Sequence, residues 1–210
     1  VLLLAIASLL AFVVLGVLAH GHQYFDLDRV VHDLARSAQH PTVKSLMQVV
    51  SDLGSGWALL PLSLAAFAGL RRTGHRIARY VPFMVAGSYA VFALTKLIVA
   101  RPRPRLTPYG FPSAHTFGAV VFYGGLIYVL WTIELRPRWR WAGTVFLTLL
   151  IVGIGLSRIY LRSHWLSDVL GGVAGGTALL LFFLLTADPR LRPWRRSSRG
   201  DDGPPGSVLS

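Results

Sequence analysis

The sequence predicts an all-α polytopic membrane protein with six transmembrane helices in one bundle, and three observations carry that prediction. Of 210 residues, 53% are hydrophobic and only 14% charged, with a mean hydropathy of +0.55, outside the balance of a soluble globular domain. The apolar residues are gathered into six runs near the ~20 residues that cross about 30 Å of hydrocarbon. The arginines gather after every second run, as an alternating topology requires.

The first run, residues 1–19, is read as a span and not as a signal peptide, because no basic leader precedes it. The others cover about 53–70, 80–100, 114–131, 141–160 and 165–185. Arg71, Arg72, Arg76 and Arg79 separate the second run from the third, and Arg136, Arg138 and Arg140 separate the fourth from the fifth. Arg190, Arg192, Arg195, Arg196 and Arg199 follow the sixth. With six alternating spans all three groups share one side, which the positive-inside rule makes the cytoplasm, together with both chain ends. The formal charge of +12 is thereby assigned to topology and to anionic headgroups. Nucleic acid is not an expected partner, since the basic groups are not interleaved with exposed aromatics. The absence of Cys excludes disulfides, thiolate nucleophiles and Cys-based metal sites.

Two connections stand out. In residues 20–52, Phe25, Leu27, Val30, Val31, Leu34 and Ala35 recur at helical spacing, which predicts an amphipathic helix on the outer surface, ended or broken at Pro41. Interfacial packing is the expectation for it; a cap over a site is the alternative. The loop at 101–112 carries prolines 102, 104, 108 and 112, which hold its arginines on a stiff backbone. Residues 1–188 are expected to form one domain, followed by a basic, disordered cytoplasmic tail at 189–210.

With this topology three polar clusters reach the outer side. Lys96 ends the third span, with Arg103 in the loop beyond; Ser113 and His115 open the fourth; Arg158, His164 and Asp168 lie at the fifth-to-sixth turn. Ionisable residues at membrane depth are costly unless paired or functional. Lys96, Arg103 and Arg158 have the chemistry of a phosphate clamp, and Ser113 with the N–H groups around Ala114 can bind anionic oxygens at a helix start. His164 and Asp168, four apart, share a helix face, so the carboxylate can fix the imidazole tautomer and free the other nitrogen for attack on phosphorus. His115 is the candidate general acid. His20, His22, His32 and His40 lack a third ligand at metal spacing, and no metal or other cofactor is expected. His75, among arginines, is read as solvated. Gly171, Gly172, Gly175 and Gly176 predict a small-residue face on the last span, for an internal or a subunit contact, and leave the oligomeric state open.

These residues resemble the motifs of the type 2 phosphatidic acid phosphatase (PAP2) superfamily. Lys96, six residues and then Arg103-Pro104 match its first motif; Pro112-Ser113-Ala114-His115 is similar to its second; Ser157-Arg158 through His164 to Asp168 fits its third. The resemblance implies a six-helix membrane core with its site on the periplasmic or extracellular face and metal-free hydrolysis of a lipid phosphate or diphosphate. It implies phosphate binding by Lys96, Arg103, Ser113 and Arg158, proton donation by His115, attack by His164 and orientation by Asp168. Candidate substrates are phosphatidate, phosphatidylglycerol phosphate and undecaprenyl diphosphate, alongside membrane lipids as partners. The alternatives are a lipid phosphotransferase using the same histidine and a non-catalytic lipid-phosphate carrier. One position departs from the pattern: Ala114 replaces a glycine. A helical backbone there leaves its N–H available, whereas a positive φ would cost about 1 kcal/mol.

Overall fold

The computed structural model describes residues 1–21, 24–104 and 109–192, and their regular structure is entirely helical. Eight α-helices follow in order: α1 (Leu2–His20), α2 (Asp26–Ser37), α3 (Pro41–Asp52), α4 (Gly56–Arg72), α5 (Val81–Val99), α6 (Ala114–Thr132), α7 (Pro137–Tyr160) and α8 (Leu166–Ala187). Among the described residues α1, α5, α6, α7 and α8 are each long and apolar enough to cross a membrane. The sixth span requires α3 and α4 to count together, bent by 43°. Most of the tail expected from 189, residues 193–210, lies outside the described residues, as do His22 and Pro108.

The bundle is organised around α6, which packs against α4, α5, α7 and α8. Phe117 and Val121 of α6 meet Met84 of α5 and Leu180 and Leu184 of α8 in one apolar cluster; Ala119, Phe122 and Tyr123 meet Leu59 and Ile154 in a second. Outward positions are as apolar as the core: Leu3, Leu10 and Val17 on α1, Phe83 and Leu97 on α5, and Phe146 and Leu149 on α7 are exposed. That inversion suits hydrocarbon as solvent, where burial of apolar surface no longer distinguishes inside from outside.

Close backbone approach therefore matters more, and the glycine face of α8 supplies it within the chain. A Cβ on Gly172 would lie 2.8 Å from the Ser113 carbonyl oxygen, and one on Gly176 would lie 2.9 Å from that of Phe117. The contact is internal, between α8 and α6, and it carries the start of one helix onto the start of the other: the Ser113 N–H donates to the Asp168 carbonyl at 2.9 Å.

The outer connection breaks before Pro41, as the sequence predicts, but a second helix follows the break. Pro41 starts a helix, occupying the first turn of α3, where its missing N–H costs nothing. The two short helices also do more than lie on a surface. The Gln39 side chain donates to the Tyr160 carbonyl (2.8 Å), the His40 N–H donates to the Tyr160 hydroxyl (2.9 Å), and that hydroxyl donates to the Ala38 carbonyl (2.9 Å). The α2–α3 turn is thus tied to the end of α7. At the opposite end, His75 is half-buried and not simply solvated, because the chain after α4 folds back so that its Nε2 meets Thr132 Oγ1 at 2.8 Å.

Gly172→Ala is expected to destabilise the bundle by about 1–3 kcal/mol through overpacking against α6 backbone. Gly69→Ala on α4, where an added Cβ meets nothing within 4 Å, is expected to be neutral or to stabilise by up to about 1 kcal/mol. Thermal unfolding of the two purified variants in one detergent checks the contrast.

Candidate active site

Four helix ends converge at one end of the bundle. Lys96 lies in the last turn of α5, His115 in the first turn of α6, Arg158 in the last turn of α7 and Asp168 in the first turn of α8, with His164 in the turn between α7 and α8. The order alternates C-terminus and N-terminus, so an antiparallel bundle delivers all of them to the same end. Arg103 joins from the loop that follows α5.

Asp168 is fully buried. As the third residue of its helix, its carboxylate reaches back to cap the chain: Oδ2 accepts from the Trp165 N–H at 3.0 Å. The same oxygen faces His164 Nδ1 at 3.4 Å, the long end of hydrogen bonding. His164 is 4% exposed. Burial, the largest influence, pushes its imidazole down to about 4 against the opposing pull of the Asp168 carboxylate, and Lys96 and Arg158 add to the depression. The ring is therefore neutral at pH 7, with Nδ1 turned to Asp168 and Nε2 the nitrogen on the far side of the ring.

The cations are held in place. Lys96 Nζ donates to the Tyr109 carbonyl at 2.6 Å, and an Arg103 terminal nitrogen lies 3.5 Å from the same oxygen. Arg158 is 8% exposed, and its guanidinium donates to Ser51 Oγ at the end of α3. Arg103 Nε is buried and has no hydrogen-bond acceptor among the described residues. His115 is half-buried and lies within electrostatic reach of Arg158, His164, Arg103 and Lys96. Ser113, fully buried, is the N-cap of α6, and its hydroxyl accepts from Thr116 Oγ1 at 3.1 Å.

Ala114 is the first residue of α6, and it is not among the described non-glycine residues at positive φ, which are Ala100, Tyr109 and Arg162. Its Cβ is accommodated without backbone strain, and the first-turn N–H groups keep no intrahelical acceptor. Every residue singled out from the sequence for this site is thus brought to one end of the bundle. Among the described residues no three His, Asp or Glu side chains come together as a group able to hold a metal ion.

The PAP2 superfamily model matches residues 77–192, more than half of the chain and all three motifs. The chain belongs to the PAP2 superfamily. Curated relatives of this PAP2 protein include phosphatidylglycerophosphatase B of Bacillus subtilis, 27% identical over 91% of this chain and 98% of that protein. An undecaprenyl-diphosphatase of Sulfolobus acidocaldarius is 26% identical over 78% of this chain and 82% of its own length. The crystal structure of a transmembrane PAP2 type phosphatidylglycerolphosphate phosphatase from Bacillus subtilis has the same fold, with a TM-score of 0.79 at 22% identity, covering 91% of this chain and 98% of that one. Aquifex aeolicus LpxE shares it at a TM-score of 0.61 and 23% identity, over 77% and 96%. Together with its spans, this makes the protein a multi-pass membrane phosphatase of the PAP2 type.

Sequence reasoning missed four contributors. Ser51 supports Arg158, and the Tyr109 carbonyl supports Lys96; nothing in spacing or composition marks either. Arg101, grouped by sequence with the arginines of a stiff outward loop, is instead fully buried, and its partner Asp28 is 1% exposed on α2. Ser51→Ala is expected to lower kcat/KM for phosphate release about 5-fold, the kinetic equivalent of about 1 kcal/mol for a lost hydrogen bond. The pH dependence of kcat/KM offers a second check. A nucleophilic role for His164 requires the neutral ring, so under that role the acidic limb is expected near pH 4, where its depressed pKa lies, and not near the ordinary imidazole value of about 6.5.

Proposed function

We propose that the protein hydrolyses a lipid phosphate or diphosphate through a phosphohistidine on His164, without a metal ion, at a site facing the periplasm or exterior. The observation that carries this reading is the buried His164–Asp168 pair beneath three fixed cations and a second imidazole.

In this mechanism Lys96, Arg103, Arg158 and the first-turn N–H groups of α6 bind the nonbridging phosphoryl oxygens and stabilise the charge that develops on them. Nε2 of His164 attacks phosphorus, the bond from phosphorus to the lipid oxygen breaks, and its electron pair leaves with that oxygen. His115 supplies the proton to the leaving group. It then takes a proton from water as that water attacks the phosphohistidine, which releases inorganic phosphate and restores neutral His164. Asp168 stabilises the positive charge that builds on the imidazole and holds its orientation throughout.

An apolar cavity of about 100 Å³ abuts His115 between α4, α5 and α6, with Leu59, Tyr89 and Phe92 in its wall. With His115 as the acid that protonates the leaving group, this cavity would take the first carbons of the lipid. The near full-length likeness to a phosphatidylglycerophosphatase makes phosphatidylglycerol phosphate the first substrate to test, ahead of undecaprenyl diphosphate and phosphatidate. The orientation rests on the arginines at the other end of the bundle, which the positive-inside rule places in the cytoplasm with both chain ends.

The test is phosphate release by the purified protein in detergent with EDTA present, across these three lipids, beside His164→Ala. Release from at least one lipid that falls by more than about 10³-fold in the variant is the expected result. Loss of activity on chelation, or a variant that retains its rate, would contradict it. Transfer of phosphate to an added alcohol in place of water would convert the reading to that of a phosphotransferase.

A further inference from the structure

The charges around Asp168 continue beyond the residues that meet substrate. Arg101, at 0% exposure, bridges two carboxylates: one terminal nitrogen donates to Asp168 Oδ1 at 3.0 Å and to Ser167 Oγ at 2.7 Å, the other to Asp28 Oδ2 at 2.9 Å. Asp28 is held in turn. Its Oδ1 accepts from the Ser167 N–H at 2.8 Å and its Oδ2 from the Ser167 hydroxyl at 2.7 Å. The Tyr24 ring covers the guanidinium, 5.1 Å from centroid to Cζ. Three segments distant in sequence therefore meet at one buried cation.

We propose that Asp28 and Arg101 are positioning residues for the hydrolysis, fixing the rotamer and the available charge of Asp168 and, through it, His164. The inference rests on the reading of His164 as nucleophile and Asp168 as its orienting group. Asp28 and Arg101 are both fully buried, which leaves them no surface to offer a substrate. Asp168 Oδ2 serves the Trp165 N–H and His164, and among the described residues Arg101 anchors the other oxygen. A carboxylate tied at both oxygens cannot swing away from the imidazole.

Charge balance gives Asp28 its part. Arg101 alone beside Asp168 would draw the carboxylate's field away from His164. With Asp28 on its other side, the guanidinium is shared between two carboxylates, and Asp168 is the one of them that faces the imidazole. A purely structural staple would not need these charges, since a buried ion pair is often replaceable by apolar side chains at no loss of stability. The burial pattern of α2 points the same way. It exposes Leu27, Val30 and Leu34 and buries only Asp28 and Ala35, so the helix turns its acid inward.

The test compares wild type, His164→Ala, Asp28→Asn, Arg101→Lys and Arg101→Met as purified full-length proteins, with dioctanoyl phosphatidate as probe. Active protein is normalised by folded fraction from thermal melts. Asp28→Asn is expected to lower kcat about 10- to 100-fold, the range that loss of an outer partner costs at ligand histidines, with KM within about twofold. Arg101→Lys, which keeps the charge but cannot span both carboxylates, is expected to retain several-fold more kcat than Arg101→Met. An Asp28→Asn enzyme with wild-type kcat per folded molecule, or Arg101→Lys no better than Arg101→Met, would overturn the proposal. If Asp28→Asn does not fold, the Arg101 pair decides. A wild-type protein that is inactive, or a His164→Ala protein that is active, would refute the proposed function itself and is read separately.

Discussion

A single buried carboxylate is the constraint on which the rest of the arrangement depends. Asp168 is fully enclosed in a bundle of apolar helices, where an unpaired charge would cost several kcal/mol. Its oxygens are met by the Arg101 guanidinium, the Trp165 N–H and the His164 ring, and its carbonyl by the Ser113 N–H. Each of those contacts fixes a different segment: the loop after α5, the start of α8, the turn after α7 and the start of α6. The geometry of the site is the solution to the problem of burying that one group.

Glycine makes the solution reachable. The Ser113–Asp168 backbone contact needs α6 and α8 nearly in touch, and Gly172 has no atom where a Cβ would strike the Ser113 carbonyl. Gly110 repeats the logic in the loop, since a Cβ there would lie 3.2 Å from Asp168 Oδ2 and 3.1 Å from the Arg101 carbonyl. In a membrane, where apolar side chains gain little by leaving lipid, such close approaches and buried polar contacts carry the specificity that a hydrophobic core carries in water. The short helices α2 and α3 fit the same account, delivering Asp28 to buried Arg101 and Ser51 to buried Arg158.

The parts of this structure legible in the sequence are those that chain-local patterns encode. Apolar runs located five spans to within a few residues but took the second as 53–70, where a full span needs α3 joined to α4; the motif spacings located Lys96, Arg103, Ser113, His115, Arg158, His164 and Asp168, and the glycines of α8 announced a close helix contact. What stayed hidden is set by tertiary phase. Periodicity shows that α2 has two faces, but in a chain surrounded by lipid it does not tell which face turns inward, so nothing in the sequence singled out Asp28. Arg101 and Arg103 are two residues apart with the same chemistry, and their tertiary partners tell them apart: Arg101 lies between Asp28 and Asp168, and Arg103 lies beside the Tyr109 carbonyl. Nothing local distinguishes Ser51 from any other serine at a helix end.

The central claim is that His164 carries the phosphoryl group between two half-reactions. Its most direct test is acid-free rapid quench of the enzyme with a lipid substrate labelled in its terminal phosphate, followed by peptide mapping of the trapped protein. The account predicts a phosphoryl group on the His164 imidazole at Nε2, because Nδ1 is turned to Asp168. Turnover with label on a carboxylate or a serine, or on no residue at a time resolution shorter than one turnover, would contradict it.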